Sequence, residues 1–558
     1  MFTDILSQFS RSSGLIRGSD VVSAAFFCLT AYLFLKVTYR LWFHPLYKFP
    51  GPKIAAATSA YEFYYSVIQD GMFLWKLEEL HNKYGPIVRI TPNELHISDP
   101  AFYNEIYTGQ SNPRDKYAPF YRFTGATRAA FETHDHKLHN LRRQPLMNTF
   151  SKRSIVNIEP LILEKINLLA KRFERAHHQG TPIKLDSAFS ALTADIISEY
   201  GYGQSLRYLE DEDFKNDIRE SLIASLSLFH IVRFFPIIMT VAKFLPFRIV
   251  QLLNPTLSKV LGLRRLIRAI SVEELDKMKQ GLPSHATLLK ALNDPSLPRS
   301  ERSLVRLEDE GFVVLNAGTT TGKTLAFIMF HLLNNNNALY NKLHQELRDA
   351  FPNTMDHVAW KDLEALPYLR GCIYEGLRLS LGPMTRLPRV APTKPLVYQD
   401  WVIPPGVCTI LPNEPPPFNS LVTLENSQTG ISESNYFIHM NPQLFPNPAE
   451  FRPERWIEAQ EKGERLQNYI VTFSKGTRHC VGMNTSSANK SLGGRRPPWQ
   501  CSLAYAEIFM TVAVLVRRFS MELHKTTEKD VEQARDRLFG CPMGQSQGVR
   551  VIPSMVRS

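Results

Sequence analysis

Phe473-Ser474-Lys475-Gly476-Thr477-Arg478-His479-Cys480-Val481-Gly482 is the stretch of this chain best suited to chemistry. A cysteine flanked by two glycines and a nearby arginine, with aromatic and basic residues leading in, suits a sulfur held at the mouth of a turn and facing a large anionic cofactor. Gly476 and Gly482 let the backbone bend and approach a flat ligand closely. Arg478 is a fixed cation able to pair bidentately with a carboxylate. If Cys480 lies just before a helix, the helix N-terminus and free backbone N–H groups would stabilise its thiolate. A buried cysteine in a glycine-containing turn is the plain alternative.

Other candidates share helical faces. His139 and Arg143 are four apart in the basic stretch His134 to Ser151, which reads as helical up to Pro145; a solvated basic face is the alternative. Glu375 and Arg378 lie one turn apart in a helix read over Ala365 to Leu379, a spacing that usually means an exposed ion pair. Leu307 to Leu333 is long and apolar, broken by Ala317-Gly318-Thr319-Thr320-Thr321, where a hydroxyl can take the i−4 carbonyl and open the helix. The same residues admit a rival reading, with Phe312–Asn316 as a strand and Gly318 to Thr324 as the phosphate loop of a nucleotide hydrolase. That loop needs four residues between its glycines and has three, which makes the amide cradle one residue too tight.

These side chains need a large scaffold, and 44% apolar content supplies the core for one. The chain is basic, with 65 Lys and Arg against 53 acids, which favours an anionic partner or a membrane surface. No aromatic interleaving of the nucleic-acid kind accompanies that charge. Six cysteines without finger spacing argue against a disulfide framework and for a reducing compartment. Residues 21–43 read as a membrane anchor after a short tail, 1–20, with a cleaved signal peptide as the alternative. Lys36, Arg40, Lys48 and Lys53 follow the span, which places the tail in the lumen and the body in the cytosol. A stiff hinge over 44–58 contains Phe49-Pro50-Gly51-Pro52. Lys83 to Asp99 reads as a β-hairpin. Tyr117 to Arg128 is an aromatic loop, and Phe214 to Ile270 reads as apolar helices broken at Pro236, Pro246 and Pro255.

In order, these motifs resemble those of the cytochrome P450 family. Its pattern Phe-x-x-Gly-x-Arg-x-Cys-x-Gly is met at Phe473, Gly476, Arg478, Cys480 and Gly482. The resemblance implies a mainly α fold, one large helical domain with a minor β region over 59–558, tethered by the N-terminal transmembrane helix. It implies haem b (iron protoporphyrin IX) as cofactor, with the Cys480 thiolate as axial iron ligand favouring O–O cleavage. His139 and Arg143 match positions that face a haem propionate, for which Arg478 is suited as well. Arg389, in Thr385-Arg386-Leu387-Pro388-Arg389, is a candidate second partner. Thr321 takes the catalytic threonine position of Ala/Gly-Gly-x-Asp/Glu-Thr. Thr320 stands at the acidic position, so proton delivery would rely on Thr321, water and substrate groups. Phe451-Arg452-Pro453-Glu454-Arg455-Trp456 resembles the second arginine motif, so Glu375, Arg378 and Arg455 would form a buried structural triad.

The implied reaction inserts one oxygen atom from O2 into a C–H or C=C of an apolar small molecule. Similarity to fungal members of the trichodiene-oxygenase type points to a terpenoid or other secondary metabolite. Electrons would come from NADPH through a membrane-bound flavoprotein reductase docking on the basic cysteine side, at the endoplasmic reticulum. The aromatic loop and the proline-broken helices would form a lid over the substrate that partly dips into the membrane, and a turn near Leu538-Phe539-Gly540 would reach into the pocket. Two segments, 411–431 and 485–502, depart from the family pattern as insertions or translated introns. The second separates Asn484 from Leu503-Ala504-Tyr505-Ala506-Glu507, the helix expected to support Cys480. The competing readings are therefore a product inactivated by that segment and a haem isomerase or dehydratase that does not oxygenate.

Overall fold

Apolar side chains from Val21 onward, with no helix breaker among them, form helix α1 (Gly18–Thr38), which continues through a π turn at Tyr39–Phe43. The structure, a computed structural model, describes residues 18–334, 337–354, 358–406, 428–483, 503–544 and 546–556. Over Val21–Phe43 the chain is long and apolar enough to cross a membrane by length and composition. The buried guanidinium of Arg89 fastens this end to the body: it donates to Arg40 O at 3.0 Å, and Arg40 in turn donates to Ala57 O at 2.8 Å. The hinge is stiff for a steric reason, since a Cβ at Gly51 would sit 2.4 Å from Arg89 O.

Helix α2 (Phe73–Tyr84) leads into the antiparallel hairpin β1 (Ile87–Thr91) and β2 (Glu94–Ile97). Three short strands, β3 (Asp115–Lys116), β4 (Arg389–Val390) and β5 (Gly430–Ser432), complete a sheet ordered β1-β2-β5-β4-β3. Gly430 and Ile431, at the end of the 411–431 segment, are thus strand residues. Ile431 is buried between Leu95 of β2 and Arg389 of β4, and that pairing assigns it to the sheet. Residues 411–427 of that segment, all of 485–502 and residues 1–17 of the tail lie outside the described residues.

The helical part begins with α3 (His136–Thr149), whose N-cap Asp135 accepts from Leu138 N at 2.7 Å. It runs on through Pro145 rather than stopping there. Proline removes one N–H, yet Leu146 and Thr149 of the last turn are buried, and Phe150 N still reaches Leu146 O at 2.9 Å. The apolar stretch downstream breaks where prolines predict, into α5 (Asp217–Phe234), α6 (Ile237–Phe244), α7 (Phe247–Leu253) and α8 (Pro255–Lys279), following α4 (Leu185–Tyr202). The bend between α5 and α6 is 115°.

Helices α9 (Leu304–Gly318) and α10 (Thr320–Leu333) meet at Thr319. The hydroxyls do open the helix here, but to i−3 carbonyls: Thr319 donates to Asn316 O at 2.8 Å and Thr320 to Ala317 O at 2.7 Å. Phe312–Asn316 is helix, and Lys323 lies inside α10, so the strand–loop–helix order of a phosphate-binding loop does not occur. Gly322 lets α10 press onto α4, where a Cβ would fall 2.7 Å from the backbone at Phe189 and Ser190. Helices α11 (Pro367–Leu379), α12 (Glu454–Glu461) and α13 (Leu503–Arg518) close the core beneath. The hairpin β6 (Arg535–Arg537) and β7 (Phe539–Cys541) follows.

Candidate active site

The cysteine loop is shaped by its own backbone and by one close approach. Cys480 N donates to Phe473 O at 2.9 Å, and Thr477 N to Thr108 O at 3.1 Å. Gly476 has φ +72°, and a Cβ there would be 2.1 Å from Thr108 O, so only glycine fits. Gly482 serves differently: among the described residues a Cβ would meet only Cys480 Sγ, at 3.5 Å, so the glycine keeps that flank of the sulfur clear. Phe473 packs on Tyr505 of α13 at 5.6 Å between ring centroids. Cys480 is itself exposed. Desolvation raises its thiol pKa, and the Gly482 and Met483 N–H groups and the Arg143 charge oppose that shift. The donors come from the turn: Val481 to Met483, directly after Cys480, are not helical, and residues 484–502 lie outside the described residues.

Around this loop the fold gathers cations that form no ion pair among the described residues. His139 and Arg143 project from one face of α3, both buried. Arg478 donates to Thr133 O at 2.6 Å and to His134 O at 2.5 Å. Arg389 of β4 lies opposite Lys116 of β3 and donates to Leu387 O at 3.0 Å and to the Tyr121 hydroxyl. Desolvation, then Arg389, pulls the Arg478 pKa down to about 9. Desolvation brings Arg143 down to about 10. His139 and Lys116 shift down as well, through desolvation and then neighbouring arginines. His139 Nδ1, Arg143 Nη2 and Arg478 Nε are buried with no hydrogen-bond partner among the described residues.

The predicted triad is assembled behind the loop. Arg378 Nη2 and Nε reach the Glu375 carboxylate at 2.7 and 3.0 Å, and Arg455 Nε reaches it at 2.9 Å. Trp456 Nε1 at 3.0 Å and Arg452 N at 3.1 Å complete the shell. On the opposite side, Thr321 is buried at the start of α10. Its hydroxyl faces Glu507 of α13, a buried carboxyl whose pKa desolvation raises well above the usual range, the Thr321 contact opposing. Glu507 Oε1 has no partner among the described residues.

Sequence reasoning missed Glu507, Lys116 and one further buried network. Arg386 binds Glu94 at 3.0 and 3.1 Å and Glu62 at 2.7 Å, and Glu62 also holds Arg233 of α5 at 2.6 Å. Its members are spread from 62 to 386, so no local spacing announces them. The network ties α5 over an aromatic wall in which Phe120 and Phe123 meet Phe229 at 6.3 and 4.6 Å, with Tyr121, Val390 and Leu538 beside them. On the outer side, α6 and α7 expose Phe244 (85%), Leu252 (84%) and Leu253 (75%).

Fold and site together define a helical protein built to hold a large anionic cofactor beside a cysteine sulfur, beneath a helix opened by small and hydroxyl residues. The chain matches the family model described as Cytochrome P450 over residues 60–413 and 428–492, and it belongs to that family. It is similar to conidiogenone synthase PchP450 of Penicillium rubens, 45% identical over 526 residues that cover 94% of this chain and 97% of the relative. Cytochrome P450 monooxygenase TRI4 of Trichoderma arundinaceum is 38% identical over 528 residues, 94% of each chain, and astB of Aspergillus terreus 36% over 549, 97% of each. The protein is accordingly a monooxygenase-type oxidoreductase of secondary metabolism whose cofactor is haem b, using O2, a redox partner and a small-molecule substrate. The residues present fit that cofactor: unpartnered cationic donors stand ready for its carboxylates, and the sulfur is flanked by backbone N–H groups and a cleared glycine.

Proposed function

We propose that this chain is a membrane-anchored haem-thiolate monooxygenase in which Cys480 Sγ would hold the haem iron. His139, Arg143, Arg389 and Arg478 hold the propionates, while Phe473, Gly476 and Gly482 shape the loop. Glu375, Arg378 and Arg455 fix the scaffold. One observation carries the reading, namely the gathering near Cys480 of desolvated cations whose buried donors have no hydrogen-bond partner among the described residues.

Haem b, when bound, would supply the activation of O2 needed to place one oxygen atom in a C–H or C=C bond of the substrate. The chain's own residues do the rest. The aromatic wall binds and orients an apolar substrate and excludes water. Thr321 presents a hydroxyl at the opened helix, and the Glu507 carboxyl, kept protonated by desolvation, stores a proton that the residue at 320 cannot offer. The wall favours a terpenoid or similar hydrocarbon-rich metabolite, in keeping with the printed name of the conidiogenone synthase. Electrons come from NADPH through a flavoprotein reductase. The span over Val21–Phe43 and the apolar faces of α6 and α7 support membrane association, and Lys36, Arg40, Lys48 and Lys53 around the end of the span support a cytosolic catalytic domain, at the endoplasmic reticulum in this reading.

A reduced carbon monoxide difference spectrum of purified full-length protein tests this. The red-shifted Soret band of thiolate ligation is expected from the wild type and its complete loss from Cys480→Ser. An identical band in both, or no haem uptake by the wild type, sinks the proposal.

A further inference from the structure

Lys323 is the residue that made α10 look like a phosphate loop, and the function above leaves it unused. It stands two positions after Thr321 in an otherwise apolar helix, half-buried, and its ammonium donates to the Gly540 carbonyl of the β6–β7 hairpin. Desolvation lowers its pKa, with Cys541 and Asp186 the groups that oppose the shift. An ammonium in such a place loses hydration, so the single carbonyl it grips is a specific destination.

The hairpin is held from several sides by bonds to its backbone. Asp536 N donates to Gly71 O at 3.0 Å and Met384 N to Leu538 O at 2.8 Å. His230 Nε2 of α5 lies 2.6 Å from Asp536 O. Gly540 has no slack, because a Cβ there would fall 2.0 Å from Gln533 Oε1 and 2.4 Å from Met384 Sδ. Between the two strands stands Leu538, forced to φ +77° and packed into the aromatic wall with Phe123 and Phe229. A leucine in that conformation stays there only if its surroundings over-determine it.

We propose that Lys323 is a positioning residue for substrate selection: by holding Gly540 O it couples the helix that carries Thr321 to the hairpin and sets how far Leu538 projects into the pocket. The proposal rests on the reading of the aromatic wall as the substrate pocket. It extends that reading to a residue that need not touch substrate, with apolar polycyclic compounds as the class most affected.

The test uses full-length holoprotein and two nitrogen ligands of different reach, imidazole and 4-phenylimidazole, titrated by the Soret shift. The wild-type carbon monoxide band, recorded first, reports on the haem reading alone. Lys323→Met is expected to leave the imidazole Kd within twofold and to change that of 4-phenylimidazole about tenfold. Leu538→Ala should move the larger probe by a similar factor, and the double variant should go no further. Parallel shifts for both probes, or full additivity of the two substitutions, overturn the proposal. Should Lys323→Met not yield holoprotein, Lys323→Arg keeps a donor of similar reach. A probe ratio within threefold of wild type is then expected, and a tenfold change refutes the role.

Discussion

Glu375 and Arg143 sit in buried polar surroundings of opposite completeness. Around Glu375 each carboxylate oxygen accepts from a guanidinium, a backbone N–H or an indole, and the unused Arg378 donor reaches His439 O and Pro448 O, both at 2.7 Å. Around Arg143 no carboxylate comes into ion-pair contact among the described residues, Arg143 Nη2 and Arg478 Nε lack acceptors there, and desolvation takes the pKa values of Arg143 and Arg478 down to about 10 and 9. A network closed within the chain can only stabilise the fold. One left short of anions is built for something that arrives with carboxylates.

The closed network is the place for the largest effect. Glu375→Ala leaves Arg378 and Arg455 facing each other at 0% and 4% exposure, where water cannot screen them. Breaking one partner of such a set costs about 3–5 kcal/mol. Thermal unfolding of the apoprotein should register it, along with a sharp fall in recovered holoprotein. An apoprotein unchanged in midpoint would erase the distinction between the two regions.

Glu132 is an intermediate case that sharpens the comparison. Its Oε1 accepts from Thr124 N and Oγ1, both at 2.6 Å, while Oε2 has no partner among the described residues. Desolvation lifts its pKa from 4.5 to about 7, with the Thr124 donors opposing and Asp309 adding to the rise. Between those two pH values the folded chain keeps a proton that the unfolded chain has released, so stability is full below pH 4.5 and is lost as pH rises to 7. The span corresponds to about 3 kcal/mol. Glu132→Gln should remove that part of the slope and be the more stable protein at pH 7.5, as read by denaturant unfolding at pH 5 and 7.5. Equal slopes in the two proteins would mean that Glu132 is paired after all.

What could be read from the chain beforehand follows the range of each interaction. Glu375 with Arg378, and His139 with Arg143, are local pairs fixed by helical spacing, and the breaks at Pro236, Pro246 and Pro255 are local steric facts. The mainly α fold and the cysteine loop were legible because their residues are contiguous. Arg386, Glu62, Glu94 and Arg233 were not, since four elements must pack before those charges meet. Pro145 misled because a tertiary gain, the burial of Leu146 and Thr149, outweighs one missing helix bond. The strand at the end of the 411–431 segment was not legible for a similar reason: Ile431 becomes a strand residue through Leu95, more than 300 positions earlier.

The smallest expected effect bears most directly on the open network. Arg143→Met removes a cation whose Nη2 has no partner among the described residues, so it strips the apoprotein of little and relieves the positive charge that holds Lys116 and His139 down. Apoprotein stability should change by less than about 1 kcal/mol, in either direction. A charge-assisted bond to a cofactor carboxylate is worth about 1.5 kcal/mol or more, so haem release to an excess of apomyoglobin should quicken on the order of tenfold. Glu375→Ala predicts the reverse pattern, with a large loss in the apoprotein and none reserved for the cofactor. If Arg143→Met instead destabilises the apoprotein by several kcal/mol and releases haem at the wild-type rate, then Arg143 is a structural cation, and the two regions differ only in how completely the chain pairs its own charges.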